Sequence, residues 1–242
     1  MDLAANLEQI QRRIRDACDR AGRDPATVEL MAVSKNHPPE SVRAVADLGV
    51  TLFGENRVQE ARAKIPQCPA HLRWHLIGHL QTNKARDAVQ AFEMIQGVDS
   101  LRLAEELHRR AEAASRTLRI LVEVNVAGES TKFGYHPSQF LSELPALNAL
   151  RRLEIHGLMC MAPYSPIPES ARPVFRRCRE LAREGEQVLG APFPVLSMGM
   201  SGDFEVAIEE GSTLVRIGTA LFGNRPRPLR NAEAADPDGI AT

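Results

Sequence analysis

Eight short apolar runs recur along this chain, at residues 28–34, 51–54, 72–78, 94–98, 119–125, 154–161, 195–200 and 214–217. The stretches between them, at about 39–48, 57–65, 81–91, 101–115, 137–147, 169–188 and 203–210, read as helices. Eight strands separated by helices fit a closed parallel barrel better than any other layer arrangement. The expected fold class is therefore α/β, a single (β/α)8 TIM-type barrel. A doubly wound open sheet is the runner-up. A barrel needs eight outer helices, and seven helical stretches follow a strand. An extra N-terminal helix is the candidate for the remaining gap. Leu3, Leu7, Ile10, Ile14 and Cys18 recur at helical spacing over residues 3–21, and Gly22 follows as a stop.

The 242 residues suffice for one large domain, placed at 1–224. The remainder, 225–242, is rich in Pro, Ala and Asp and is expected to be a disordered tail. Lys plus Arg number 30 and Asp plus Glu 31, so charge gives no reason to expect nucleic acid or a membrane surface as partner. No apolar run approaches the ~20 residues of a membrane span. Residues 1–8 lack the basic and apolar regions of a signal peptide. Cys18, Cys68, Cys160 and Cys178 are scattered, which reads as free thiols and a cytoplasmic setting. With no long apolar insertion, a monomer is expected.

In a parallel barrel, chemistry collects at the C-terminal strand ends. Lys35 ends the first strand, on the same face as Met31 and Val33. A lysine in apolar surroundings is poorly hydrated, so its amine loses its proton more easily and can condense with an aldehyde. Ser201-Gly202 follows the seventh strand and Gly218-Thr219 the eighth, where barrels often bind phosphate. A Schiff-base lysine with a phosphate cradle points to pyridoxal 5′-phosphate (PLP). Each element also has an ordinary reading. A strand-end lysine is usually a solvated rim residue, and Ser201 could be only a helix N-cap. Arg216 would lie inside the barrel, expensive without a partner unless an ion pair offsets it. His75 and His79 are four apart, but on a strand and turn, and the glutamate of a zinc helix is absent, so no metal site is expected.

Longer motifs carry a resemblance. Ala32-Val33-Ser34-Lys35, Phe53-Gly54-Glu55-Asn56-Arg57-Val58-Gln59-Glu60, His75-Leu76-Ile77-Gly78-His79-Leu80-Gln81-Thr82-Asn83-Lys84, Gly157-Leu158-Met159, Ser197 to Asp203 and Gly211 to Gly223 resemble the pyridoxal phosphate homeostasis proteins, in the expected order. The resemblance implies a PLP-binding barrel similar to the alanine racemase N-terminal domain. It implies that Lys35 holds PLP as an aldimine. It places Ser201, Gly218 and Thr219 on the phosphate, Arg216 at the pyridine nitrogen, and Asn56 and His79 in the cofactor pocket. It further implies a role in vitamin B6 homeostasis without turnover, with apo PLP-dependent enzymes as possible recipients. A small amino-acid racemase-like enzyme is the alternative. Racemisation needs a second acid/base opposite the lysine. Only two tyrosines, Tyr135 and Tyr164, are available, and both follow strands.

Overall fold

The computed structural model describes residues 2–129 and 132–223. The expected tail at 225–242 and the domain boundary at 224 lie outside these. The strands are β1 Glu29–Val33, β2 Leu52–Glu55, β3 Arg73–Leu76, β4 Met94–Val98, β5 Leu118–Glu123, β6 Leu153–Met159, β7 Val195–Met200 and β8 Leu214–Ile217. They form one closed barrel in chain order. Every pairing is parallel, and β8 closes on β1 with Met31 opposite Arg216. The expected TIM-type barrel is the fold.

The helices are α1 Leu3–Arg20, α2 Pro39–Ala46, α3 Val58–Lys64, α4 Ala85–Ala91, α5 Leu101–Ala113, α6 Pro137–Asn148, α7 Arg172–Leu189, α8 Phe204–Glu209 and α9 Thr219–Phe222. The stretch expected as one helix over 81–91 begins instead with a tighter turn at Thr82–Lys84. There the Lys84 N–H bonds to the Gln81 carbonyl at 2.9 Å. α9 follows β8 but is only four residues long, too short to cover the barrel wall. α1 packs on α8 and α9 and takes that place. It buries Leu7, Ile10, Ile14, Ala17 and Cys18, the face that its spacing predicts. Asn6 Nδ2 donates to the Leu221 carbonyl at 2.9 Å, and Arg13 pairs with Glu205 at 2.8 Å. The extra helix is thus the missing part of the outer ring.

Strand alternation divides the core into two parts. Ala32, Phe53, Trp74, Ile95, Ile120, Leu158 and Val215 belong to the large cluster formed with the helices. Met31, Leu52 and Leu214 form a second cluster, with Ile77 and Val195 against it. Met94, Leu121 and Met159 form a third, also touching Val195. These two small clusters fill the barrel interior, where unbranched methionines suit irregular space. Where β6 meets β7, Gly157 pairs with Val195 at φ 141°. A Cβ there would collide with the Val195 carbonyl oxygen, so only glycine permits this close strand approach.

Candidate functional site

The C-terminal mouth of the barrel holds a cavity of about 250 Å³. Lys35, Asn56, Ser201, Arg216, Gly218 and Thr219 all line it; Arg216 is on β8 and the others lie just past the ends of β1, β2, β7 and β8. Lys35 sits there because alternation along β1 turns Met31, then Val33, then Lys35 inward. The Ser34 N–H still bonds to the Gly54 carbonyl at 3.1 Å, carrying the β1–β2 pairing to the lysine. Asn36 then adopts φ 61°, a left-handed conformation that asparagine tolerates, and the chain leaves the barrel.

His79 is not among the residues lining this cavity. Its Nδ1 lies 2.8 Å from an Asp99 carboxylate oxygen, and its ring stacks on Phe133 with centroids 3.7 Å apart. That pairing holds it in a separate depression with Asp99, Ser100 and Arg102. His75 points elsewhere again, into the barrel, where its Nδ1 lies against Gln96, so the two histidines do not face each other.

Two strands round the barrel from Lys35, the turn after β7 is fixed by Asp203, whose carboxylate accepts the Met200 N–H at 2.6 Å. Burial pushes the Asp203 carboxyl up from its usual range. Ser201 Oγ accepts the Ala220 N–H at 3.1 Å, joining the β7 turn to the start of α9. That bond uses one of its two lone pairs, and its own O–H remains available to donate. A Cβ on Gly202 would meet nothing in the protein. The fold therefore does not demand glycine there, whereas an anion approaching the backbone would. Asn56 lines the cavity with its Oδ1 buried and lacking any partner among the described residues. A buried orphan acceptor is costly, and a bound ligand can satisfy it. These features fit a phosphorylated, hydrogen-bonding cofactor.

Arg216 on β8 is 4% exposed, and the expected burial is met by partners that the sequence reading missed. Its Nη1 donates to the Ser197 carbonyl at 2.6 Å and to Ser197 Oγ at 2.7 Å. Its Nη2 donates to the Cys160 carbonyl at 2.8 Å. Ser197 Oγ in turn donates to Gln96 Oε1 at 2.7 Å, and Gln96 Nε2 lies 2.9 Å from His75 Nδ1. Burial pushes the guanidinium's pKa down and that of His75 down to about 4. His75 is therefore neutral, and its Nδ1 accepts from Gln96. The hydrogen bonds that Arg216 makes among the described residues go to neutral oxygens, with Asp203 and Glu123 acting on it only as nearby charges. Alternation could have placed Gln96 and Ser197 inside the barrel, but nothing in the sequence links residues so far apart.

The two tyrosines separate. Tyr135 is 1% exposed, bridged to Val124, and lines no part of the cavity. Tyr164 is 95% exposed and stands at the cavity mouth beside Ser165.

A parallel barrel with a lysine just past its first strand, sharing one cavity with a hydroxyl-and-glycine cradle after its last two, has the architecture of the alanine racemase N-terminal domain. The family model described as "Alanine racemase, N-terminal domain" matches residues 5–226. A pyridoxal phosphate homeostasis protein of Aquifex aeolicus is 42% identical over 226 residues, covering 93% of this chain and 99% of that one. The solved structure of PipY from Synechococcus elongatus PCC7942 with PLP bound is 39% identical, with a TM-score of 0.80 over 92% of this chain and 100% of that one. An alanine racemase of Clostridium difficile shares the fold at 17% identity, with a TM-score of 0.71 over 93% of this chain and 57% of that one. The chain belongs to the alanine racemase N-terminal domain family and, within it, to the pyridoxal phosphate homeostasis proteins.

Proposed function

We propose that this protein binds PLP in the barrel mouth, carries it as an aldimine on Lys35, and contributes to intracellular PLP homeostasis without turnover. The observation that carries the reading is the convergence of Lys35 with Ser201, Gly202, Gly218 and Thr219 on one cavity. The likeness to PLP-bound PipY supports it. Bound PLP supplies an aldehyde that condenses with amines and a pyridine ring able to accept electrons. The rest is done by the chain. Ser201, Thr219 and the Gly202 backbone hold the phosphate, and Asn56 Oδ1 accepts a hydrogen bond. Lys35 provides the amine. Arg216 places a permanent cation at the ring nitrogen, which disfavours its protonation and weakens the ring as an electron sink. That argues for holding the cofactor rather than for carbanion chemistry. We place His79 outside cofactor contact. Apo PLP-dependent enzymes in the same cytoplasm are the natural recipients, and the carrier is proposed to be a monomer.

One observation favours the racemase-like alternative. Tyr164 lines the cavity mouth, where a second acid/base could act. Solvent exposure speaks against it, because a catalytic phenol needs a fixed position. The test is a visible spectrum of purified protein with PLP, then borohydride reduction and peptide mapping. The expected result is a yellow protein with a pyridoxyl adduct on Lys35, absent in Lys35→Ala. A colourless protein that stays unmodified would overturn the reading. An amino-acid panel in deuterated water should give no sustained turnover or α-proton exchange above free PLP. Sustained exchange lost in Lys35→Ala would establish the enzyme instead.

A further inference from the structure

The cluster that stands out beyond the cofactor cavity surrounds Lys64. This lysine, on α3, is 4% exposed. An ammonium has three donors, and all three are used. Nζ donates to the Ser34 carbonyl at 2.8 Å, to Glu55 Oε1 at 2.6 Å and to Glu60 Oε1 at 2.8 Å. Ser34 Oγ donates to the same Glu55 oxygen at 2.7 Å. The Asn36 N–H donates to the same Glu60 oxygen at 2.5 Å. The cluster gathers side chains of Ser34, Glu55, Glu60 and Lys64, none of which lines the cavity.

Its geometry has a specific target. The Ser34 carbonyl belongs to the peptide plane entering Lys35, and the Asn36 N–H belongs to the plane leaving it. Both planes are rigid, so tying both fixes the φ and ψ of Lys35 and the direction of its Cα–Cβ bond. The left-handed φ of 61° at Asn36 is held by the same tie. A cluster needed only to dock α3 on the barrel would require no bond to either plane. Buried ion pairs are also weak stabilisers, because desolvation offsets their attraction. Burial does push the Glu55 carboxyl up, against the pull of Lys64 and Ser34.

We infer that the Glu55–Glu60–Lys64 cluster positions Lys35, aiming its amine at the PLP aldehyde so that the carbon–nitrogen bond forms quickly. The inference rests on Lys35 being the PLP anchor. The step itself is a condensation: the neutral amine adds to the aldehyde carbon, and the oxygen leaves as water. Glu60, Glu55 and Lys64 act as positioning residues, through the backbone planes on either side of Lys35.

Glu60 offers the cleanest test because its side chain is 24% exposed and tolerates change better than its partners. The rate of imine formation after mixing with PLP is followed by absorbance, with borohydride trapping on Lys35 as the end point. Affinity for pyridoxine 5′-phosphate, which has the phosphate and ring but no aldehyde, is measured in parallel. Misplacing a reacting group by about 1 Å can cost up to 100-fold in rate, so Glu60→Ala is expected to slow imine formation by about tenfold. It is expected to leave pyridoxine 5′-phosphate affinity within about twofold, because the cradle is untouched. Glu60→Gln, which keeps an acceptor oxygen for Asn36 and Lys64, should restore most of the rate. Equal rates in Glu60→Ala and the unmodified protein overturn the inference. So does a parallel loss of pyridoxine 5′-phosphate affinity, which would mark a merely structural role. Absence of any Lys35 adduct in the unmodified protein overturns this inference together with the anchor on which it rests, and that control separates the two failures.

Discussion

Inside the barrel, His75 and Glu123 feel the same desolvation on opposite charges. Burial pushes His75 down to about 4, and burial with the Asp99 carboxylate pushes Glu123 up to about 7, against the pull of Arg216. The folded state thus resists charging both. For Glu123 the raised pKa means the folded state holds its proton more tightly than the unfolded chain. Its contribution to stability is fully present below the unfolded value near 4.5 and is lost as pH rises through about 7, on the order of 3 kcal/mol. His75 runs the other way: its contribution is present above about 6.5 and lost as pH falls toward 4. Glu123→Gln should therefore flatten the fall in unfolding free energy between pH 5 and pH 8, measured in urea at both. An unchanged slope would show that Glu123 is not the group responsible. At the phosphate cradle, Ser201→Ala and Thr219→Val should each weaken PLP binding by about tenfold. That is the loss expected for one hydrogen bond to an anion, and aldimine formation should survive because Lys35 is untouched. Unchanged affinity in a titration of both variants would remove these hydroxyls from the site. That Lys35, Ser201 and Thr219 gather at one cavity was legible, because strand alternation and strand ends place them. Lys64, Gln96 and Ser197 were not, since their roles depend on contacts between strands and helices that no local pattern records.

At the level of elements, the strands were readable because eight apolar runs and their intervening amphipathic stretches allow few layer arrangements. Helix α1 was readable from spacing alone. What spacing could not show is where backbones touch. The β6–β7 contact depends on Gly157, whose φ of 141° and missing Cβ let the Val195 carbonyl approach. Gly157→Ala should destabilise the protein by at least about 3 kcal/mol, combining a disallowed backbone with a clash. Gly190, which ends α7 at φ 64° with open space around it, is the fair comparison. Gly190→Ala should cost only about 1 kcal/mol. Similar losses in urea unfolding would mean that the β6–β7 contact relaxes easily. His79 illustrates the limit of a motif. Its neighbours Ile77 and Leu80 follow the end of β3, yet its ring lies against Asp99 and Phe133 and does not line the cavity.

Across the whole molecule, the outer ring closes through α1, which packs on α8 and α9. A (β/α)8 barrel must cover the wall behind β8, and α9 is too short to do it. The chain uses α1 instead, so the first and last of the described elements meet and closure depends on contacts of large sequence separation. Such contacts carry a high loop-closure entropy before they contribute anything. Stability should therefore depend strongly on the buried face of α1, while PLP affinity should depend on the strand ends. Ile10 is 2% exposed in that face and lines no part of the cavity. Ile10→Ala should cost about 2–5 kcal/mol in unfolding free energy, as large-to-small changes in a packed core do. A ligand that binds only the folded state adds an increment set by its concentration and Kd. That increment should be the same in the variant as in the unmodified protein, since neither Lys35 nor the cradle has changed. The measurement is a pair of unfolding curves with and without saturating PLP for each protein. A parallel downward displacement of both curves would show that stability and binding are separable along the barrel axis. A smaller PLP increment in Ile10→Ala would show instead that α1, through its packing on α8 and α9, also holds the phosphate loops in place.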